Sequence, residues 1–576
     1  MKKHDSEFKD VRRIFVTTAL PYANGELHIG HIMEYIQADI WVRFQCMQQD
    51  NGKSRQVYFI CADDAHGAAI MIAAEKAGMT PKEFINNISS NRKKYLDGFY
   101  IKFDNWYSTD SIENIDLVQK IYDTLYNKAK LIINKKINQF FDPIKNIFLP
   151  DRYIKGECPI CNAKDQYGDF CECCSSIYTP TKLINPYSIL SGTKPIIKSS
   201  KHFFFKLSDK RCIDFLRKWA IHDKRLQPEI VNKIKEWLEK DNKFNDWDIS
   251  RDAPYFGIKI PNTLEKYFYV WLDAPIGYLA SLKNFFEKGG PKKKYNELRN
   301  FDEFISSPNT EQYHFIGKDI FYFHILFWPA ILKFSGRKLP NNIFVHGFMT
   351  INGKKMSKSN KIGISPLYYL KIGMNPEWLR YYIASKLNNK IEDIDFNSQS
   401  FISCVNSDLI GKYINIASRS SSFIEKYFKG YLNMKWVKDN DTFLSKLRVV
   451  SSSIQKYYEN RNFNKVLYIV IEQTNFINIF FDQNKPWKLA KNNIYHEKLH
   501  KISSRLLEAF RILTIYLKPI LPNLAKSVET FLNISPLQWI NIFTPLTQNH
   551  KINKYRHLMT RVDKNIVDNL LKNKNI

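Results

Sequence analysis

His28-Ile-Gly-His31 sets two imidazoles three residues apart, just after a turn at Pro21-Tyr-Ala-Asn-Gly25. At a helix start such a pair shares one face of the first turn and can donate to phosphate oxygens. The N–H groups there favour anions, and Gly30 lets a nucleotide come close to the backbone. A second pair, Lys355 and Lys358, stands in the Gly/Ser-rich segment Gly353-Lys-Lys-Met-Ser-Lys-Ser359 and could clamp a polyphosphate. Each pair alone has a plainer reading: histidines near a helix start are commonly structural, and a short basic loop is commonly only solvated. A third group is Cys158-Pro-Ile-Cys161 with Cys171-Glu-Cys-Cys174, spaced C-x2-C-x9-C-x2-C. Four thiolates so spaced can close a tetrahedron around one zinc, leaving no open position for chemistry, so the metal would be structural. Cys173 is supernumerary and could compete, but Cys171-x-x-Cys174 mirrors the first pair.

Around these groups the elements follow from pattern. Arg13–Thr18 and Val57–Cys61 predict buried strands, with a helix from about His28 to Met47 between them. Thr80-Pro81 predicts an N-cap followed by Pro in the first turn. Such alternation implies a parallel sheet with crossover helices. From about Asp142 to Pro195 it stops in a Cys- and Pro-rich stretch. Strand patterns return at Tyr267–Trp271, Tyr313–Ile316 and Ile343–His346, with a helical run near Ile320–Lys333. After about Asn397 the pattern is helical.

The 576 residues are too many for one core. Neither an apolar run long enough to span a bilayer nor a signal peptide is visible, so a cytoplasmic location is expected, without membrane. There clustered cysteines read as metal ligands, not disulfides. The net charge of +29 suits a polyanionic partner such as nucleic acid. An abundance of Lys, Asn and Ile from compositional drift would produce the same surplus.

Together, a HIGH segment near a strand–helix start and KMSKS roughly 330 residues later resemble class I aminoacyl-tRNA synthetases. Further stretches resemble the methionyl-tRNA synthetase family over nearly the whole chain: Ala19–Gly25, Ile60–Gly67, Trp247–Gly257, Val270–Tyr278 and Phe315–Ile320. The resemblance implies an α/β fold: a class I Rossmann-type parallel-sheet catalytic domain with an inserted zinc-knuckle connective domain, then an all-α anticodon-binding helix bundle. The expected division is 1–115 and 251–345 for the two catalytic halves, 116–250 for the insertion, 346–396 for the KMSKS loop and linker, and 397–576 for the bundle.

It also implies the reaction: methionine is activated with ATP, accompanied by Mg²⁺, and transferred to the 3′ adenosine of tRNA(Met). His28, His31, Lys355 and Lys358 would be catalytic, with Gly30, Gly317 and Asp319 also on ATP. Leu20, Tyr22, Asp64, Trp271, Ala274, Pro275, Tyr278, Ile320 and His324 would hold methionine. Asp63 is the neighbour that could replace Asp64, Arg251 a further charged group, and Trp247 and Trp328 aromatics that rearrange around the ligand. Asn415, Arg419, Pro486 and Trp487 would read the anticodon. Gly411 departs from relatives that carry Asn there. The chain ends soon after the bundle, so a monomer is expected, its basic surplus partly replacing tRNA affinity. Homocysteine editing is expected but not placed. The rivals are a synthetase for another apolar amino acid and a catalytically dead RNA-binding protein; the pocket residues oppose the first, and the intact His and Lys pairs the second.

Overall fold

A computed structural model describes residues 11–50, 52–150, 153–168, 171, 173–174, 176, 178–223, 225–239, 245–351, 353–355, 363–435 and 441–572. The chain opens with β1 (Arg13–Thr18), α1 (Ile29–Cys46), β2 (Gln56–Asp63), α2 (Ala68–Lys76), α3 (Pro81–Gly98), β3 (Asn105–Ser108) and α4 (Ile112–Asp123). Thr80 caps α3 in a reciprocal pair with Glu83, and Pro81 fills the first turn.

An antiparallel region follows. Its long strands β4 (Ile132–Asp142) and β5 (Ile196–Phe205) pair over ten positions. β6 (Trp247–Asp248) adds to the edge of β5, and β7 (Ser250–Asp252) pairs with β8 (Lys266–Phe268). Then come α5 (Val270–Glu287), β9 (Thr310–Gly317), a π-helical turn at Phe323–Phe327, α6 (Trp328–Phe334) and β10 (Asn342–His346).

Parallel pairing gives the central sheet the order β10-β9-β1-β2-β3. The chain builds outward from β1 on one side and later returns to the other, so the order reverses between β1 and β9. In open parallel sheets the crevice beyond the carboxyl ends of the strands at such a reversal is where ligands bind.

Beyond β10, β11 (Met349–Ile351) pairs with β12 (Lys354–Lys355). Next come α7 (Pro376–Lys386) and a short strand, Ile394–Phe396, parallel to β11; the helices that follow include α8 (Asn415–Phe428), α9 (Ser451–Glu459), α10 (Phe463–Asn484), α11 (Pro486–Leu489) and α12 (His496–Leu517). One apolar core runs from α1 through α7 into α10 and α12, so the bundle is seated on the sheet domain. Among the described residues no helix is long and apolar enough to cross a membrane.

One expectation needs correction. The strand expected at Tyr267–Trp271 ends at Phe268, and Val270 opens α5, a helix buried along most of its length. A short continuous apolar run does not distinguish a strand from a buried helix. The divisions at 115/116 and 250/251 cut α4 and β7. Leu117, Val118 and Ile121 of α4 share a core with Leu272, Ile276 and Leu279 of α5, which ties α4 to the sheet layer.

Candidate active site

A cleft of about 740 Å³ opens at the strand reversal. Its walls come from segments that follow β1, β2, β9 and β10 and from the starts of α1 and α5. The two histidines build the α1 end themselves. His28 is the N-cap: its Nδ1 accepts from the Gly30 N–H at 3.1 Å, while His31 Nδ1 accepts from the His28 N–H at 3.1 Å. Imidazoles here do the work usually given to Ser, Thr or Asp. With Nδ1 accepting in both rings, the neutral tautomer carries its proton on Nε2. The rings lie 3.7 Å apart and both line the cleft.

Behind them sits a buried pair that sequence reasoning missed. Glu34 accepts from the Ala19 N–H at 2.9 Å and lies 2.9 Å from His346 Nε2, whose Nδ1 reaches the Gly347 carbonyl at 2.7 Å. This ties the exits of β1 and β10 to α1. A glutamate buried in an apolar helix one turn beyond His31 was the available signal. Gly317 and Asp319 line the same side, and a Cβ at Gly317 would stand 2.6 Å from Asp319 Oδ1.

On the other side, Leu20, Tyr22, Asp64, Trp271, Ala274, Pro275, Tyr278, Ile320 and His324 all line the cleft, as does Arg251. Asp64 is half-buried, with its Oδ1 shielded from solvent and without a hydrogen-bond partner. Burial and the charge of Asp273 hold its carboxyl well above the usual range. Asp63 is occupied elsewhere, accepting from Arg92 Nε at 2.7 Å and Trp106 Nε1 at 2.9 Å. Beside Asp64, His66 contacts Asp273 at 2.6 Å; burial opposes its charge, but Asp273 and Asp110 prevail and push it up to about 10. Gly67 has φ +115°, and a Cβ there would meet the Tyr22 hydroxyl at 2.6 Å.

The recess beyond is apolar and aromatic. Trp271 stacks on Phe323 with ring centres 3.8 Å apart. Burial keeps His324 neutral, pulling it down to about 4. Its Nδ1–H donates to the Ile320 carbonyl at 3.0 Å, so Nε2 accepts from the Tyr278 hydroxyl at 2.7 Å. Trp247 and Trp328 do not line the cleft. Trp247 stacks on Phe327 at 4.5 Å, and Trp328 is 1% exposed. Lys358 lies outside the described residues, and of Lys355 only the backbone, in β12, is described. The flanks of that loop do reach the cleft, through Met349 before it and Gly363 and Ile364 after it.

Away from the cleft, the sulfurs of Cys158, Cys161, Cys171 and Cys174 lie within 4.8 Å of one another, and this group could hold a metal ion. Cys173 is exposed and not part of it. Burial would raise the Cys158 thiol, but the N–H groups of Cys161 and Ile160 overcome this and bring it down to about 6, as suits a thiolate donor. The cluster's core packs against Ala68 and Ile72 of α2.

In the bundle, Arg419 and Trp487 meet on one ring. The Arg419 guanidinium lies 3.8 Å over Phe481 and pairs with Asp482 at 2.9 Å, while Trp487, 41% exposed, lies 5.7 Å from Phe481. Pro486 opens the short helix α11, and Asn415 opens α8, one turn before Arg419. At Gly411 a Cβ would stand 3.0 Å from the Asn406 carbonyl oxygen.

A family model described as tRNA synthetases class I (M) matches residues 14–421. The methionine–tRNA ligase of Janthinobacterium sp. (strain Marseille) is 62% identical over 559 residues, covering 97% of this chain and 78% of that protein. That of Herminiimonas arsenicoxydans is 60% identical over 573 residues, covering 97% and 79%. In fold, the chain resembles Mycobacterium tuberculosis methionyl-tRNA synthetase in complex with methionyl-adenylate, with a TM-score of 0.76 at 21% identity over 95% of this chain and 99% of that one.

Proposed function

Since this chain belongs to the tRNA synthetases of class I (M), we infer that the cleft between β1 and β9 is where it joins methionine to ATP. Its activity is methionine–tRNA ligation: methionine and ATP give methionyl-adenylate and pyrophosphate, and the methionyl group then passes to tRNA. The observation that carries the siting is a juxtaposition. A carboxylate with one shielded, unpartnered oxygen, an aromatic recess and two helix-start imidazoles face one cavity.

In our reading, Asp64 receives the methionine ammonium, and the Leu20 carbonyl assists. Tyr22, Trp271, Ala274, Pro275 and Ile320 wall the thioether, for which aromatic and apolar surfaces are suited. The Tyr278 proton is committed to His324, so the recess offers sulfur a polarisable wall in place of a strong donor. The methionine carboxylate attacks the α-phosphorus and pyrophosphate leaves. His28 and His31 donate from Nε2 to the phosphate oxygens; Gly30, Gly317 and Asp319 seat the nucleotide; Lys355 and Lys358 neutralise the departing pyrophosphate. Arg251 faces the anionic groups that meet there. Mg²⁺ enters with ATP. Positioning and charge stabilisation carry the step. The 3′ adenosine hydroxyl of tRNA(Met) then attacks the activated carbonyl and AMP leaves. We place this work in the cytoplasm. The test is ATP–pyrophosphate exchange with each amino acid in turn. Methionine alone should support it, and equal exchange with leucine or valine would refute the reading.

Cys158, Cys161, Cys171 and Cys174 would hold one structural zinc, which supplies a cross-link within the insertion and no chemistry at the cleft. Metal analysis should give one zinc per chain, falling below half in Cys158→Ser together with the melting temperature. Full zinc content in Cys174→Ser would instead make Cys173 the fourth ligand.

Asn415, Arg419, Pro486 and Trp487 would receive the anticodon, with Trp487 stacking on an unpaired base. Trp487→Ala should raise the tRNA KM roughly 10- to 100-fold, the value of one stacked base, while leaving ATP–pyrophosphate exchange unchanged. Equal losses in both assays would argue against it.

A further inference from the structure

His202 lies on β5 in the inserted region, its ring completely buried. Its Nδ1 is 2.7 Å from Asp248 Oδ2 and its Nε2 is 2.9 Å from Asp252 Oδ2. Burial opposes a charge on the ring, but Asp248 and Asp252 prevail and raise it above the usual imidazole range, which favours the imidazolium. The two carboxylates flank Arg251, which lines the cleft. Asp248 Oδ2 is also 3.3 Å from Arg251 Nη1, so the histidine and the arginine share that oxygen. Asp252 has a second cation, Lys266, and accepts from Ser200 at 3.2 Å and from Gln139 Nε2 at 3.0 Å; the same Gln139 nitrogen lies 2.7 Å from His202 Nε2. Three cations therefore face two carboxylates, and the surplus positive charge falls to Arg251. The guanidinium itself donates to the Ser250 carbonyl at 2.7 Å and lies 3.7 Å over Tyr269, the residue that precedes α5.

We propose that His202 is a positioning residue for methionine activation: by bridging Asp248 and Asp252 it takes up the Asp248 charge and keeps the Arg251 guanidinium presented to the anionic groups of the substrates. This rests on the reading of Arg251 as a substrate-facing cation. Without the imidazolium, Asp248 keeps Arg251 as its one ion-pair partner among the described residues. The guanidinium is then drawn towards β6 and its charge is spent inside the protein. A carboxylate left buried with one cation fewer binds that cation harder. The insertion thus contributes to the chemistry of a cleft at the strand reversal of the central sheet.

The test is a double-mutant cycle read in ATP–pyrophosphate exchange. His202→Gln should lower kcat/KM for methionine by about tenfold, as for a contact coupled to a substrate-binding cation. Asp248→Asn keeps Oδ1, which accepts from the Ser250 N–H at 3.0 Å, and removes the competing charge. In that background His202→Gln should cost under about threefold. A histidine that acts independently of Asp248 predicts the same cost in both backgrounds. The proposal is overturned if His202→Gln matches the wild type, or if its cost in the Asp248→Asn background is as large as in the wild type. Should His202→Gln alone fail to fold, the comparison within the Asp248→Asn background decides by itself. Unchanged exchange in Arg251→Ala overturns the proposal at its premise, while methionine activation by the wild-type chain stands as a separate result.

Discussion

Replacing His31 with alanine is expected to slow methionine-dependent ATP–pyrophosphate exchange by roughly 10²–10³-fold, the usual loss for one preorganised donor to developing charge. His31 does two things. Its Nδ1 caps α1 by accepting from His28, and its Nε2 side carries the proton offered to the triphosphate. The two losses can be separated. His31→Gln keeps a side-chain acceptor at the third helical position, where glutamine commonly closes a capping box. It should therefore melt close to the wild type, whereas His31→Ala loses about 1 kcal/mol of capping. Both should lose exchange by a similar factor, because the imidazole donor is absent from each. Near-normal exchange in His31→Ala would remove the histidine pair from the mechanism. Recovery in His31→Gln alone would make the pair a helix cap and nothing more.

Asp64→Asn should lower kcat/KM for methionine by roughly 10²–10³-fold, mostly through KM, because a desolvated ammonium loses its only counter-charge. A pH signature accompanies it. Burial and Asp273 hold the Asp64 carboxyl above the normal carboxylate range, which favours the protonated form. An ammonium binds the ionised form, so methionine must displace that proton. Affinity therefore strengthens as pH rises through the raised pKa and weakens below it, with proton release on binding. Calorimetry in two buffers of different ionisation enthalpy measures the release, and Asp64→Asn should abolish it. An unchanged methionine KM in the variant, or binding without proton release in the wild type, would move the ammonium site elsewhere.

Much of the site was legible because it is local. The spacing of His28 and His31 puts both rings on one turn whatever the rest of the chain does. The paired C-x-x-C segments likewise bring their own sulfurs together. Other parts were not legible, and for identifiable reasons. β2 is buried on both faces, so it carries no polar–apolar alternation that would show whether Asp63 or Asp64 points into the crevice. The structure separates them: Asp63 pairs with Arg92 on α3, and Asp64 is left facing the cavity. Val270 and Trp271 read as strand because a short apolar run has no period of its own. Glu34 with His346, and His202 with Asp248 and Asp252, join residues 46 to 312 positions apart in sequence, beyond the reach of any local pattern.

What the amino-acid sequence determined by itself was the inventory of reactive groups and the short-range geometry of each, since backbone periodicity over a few residues is enough to set it. What only the tertiary structure decided was that Asp64 and not Asp63 lines the cleft, that Trp247 and Trp328 stay out of it, and that His202 meets the carboxylates beside Arg251. Those are outcomes of how distant segments share desolvated space, where a charge is kept only if another part of the chain arrives to balance it.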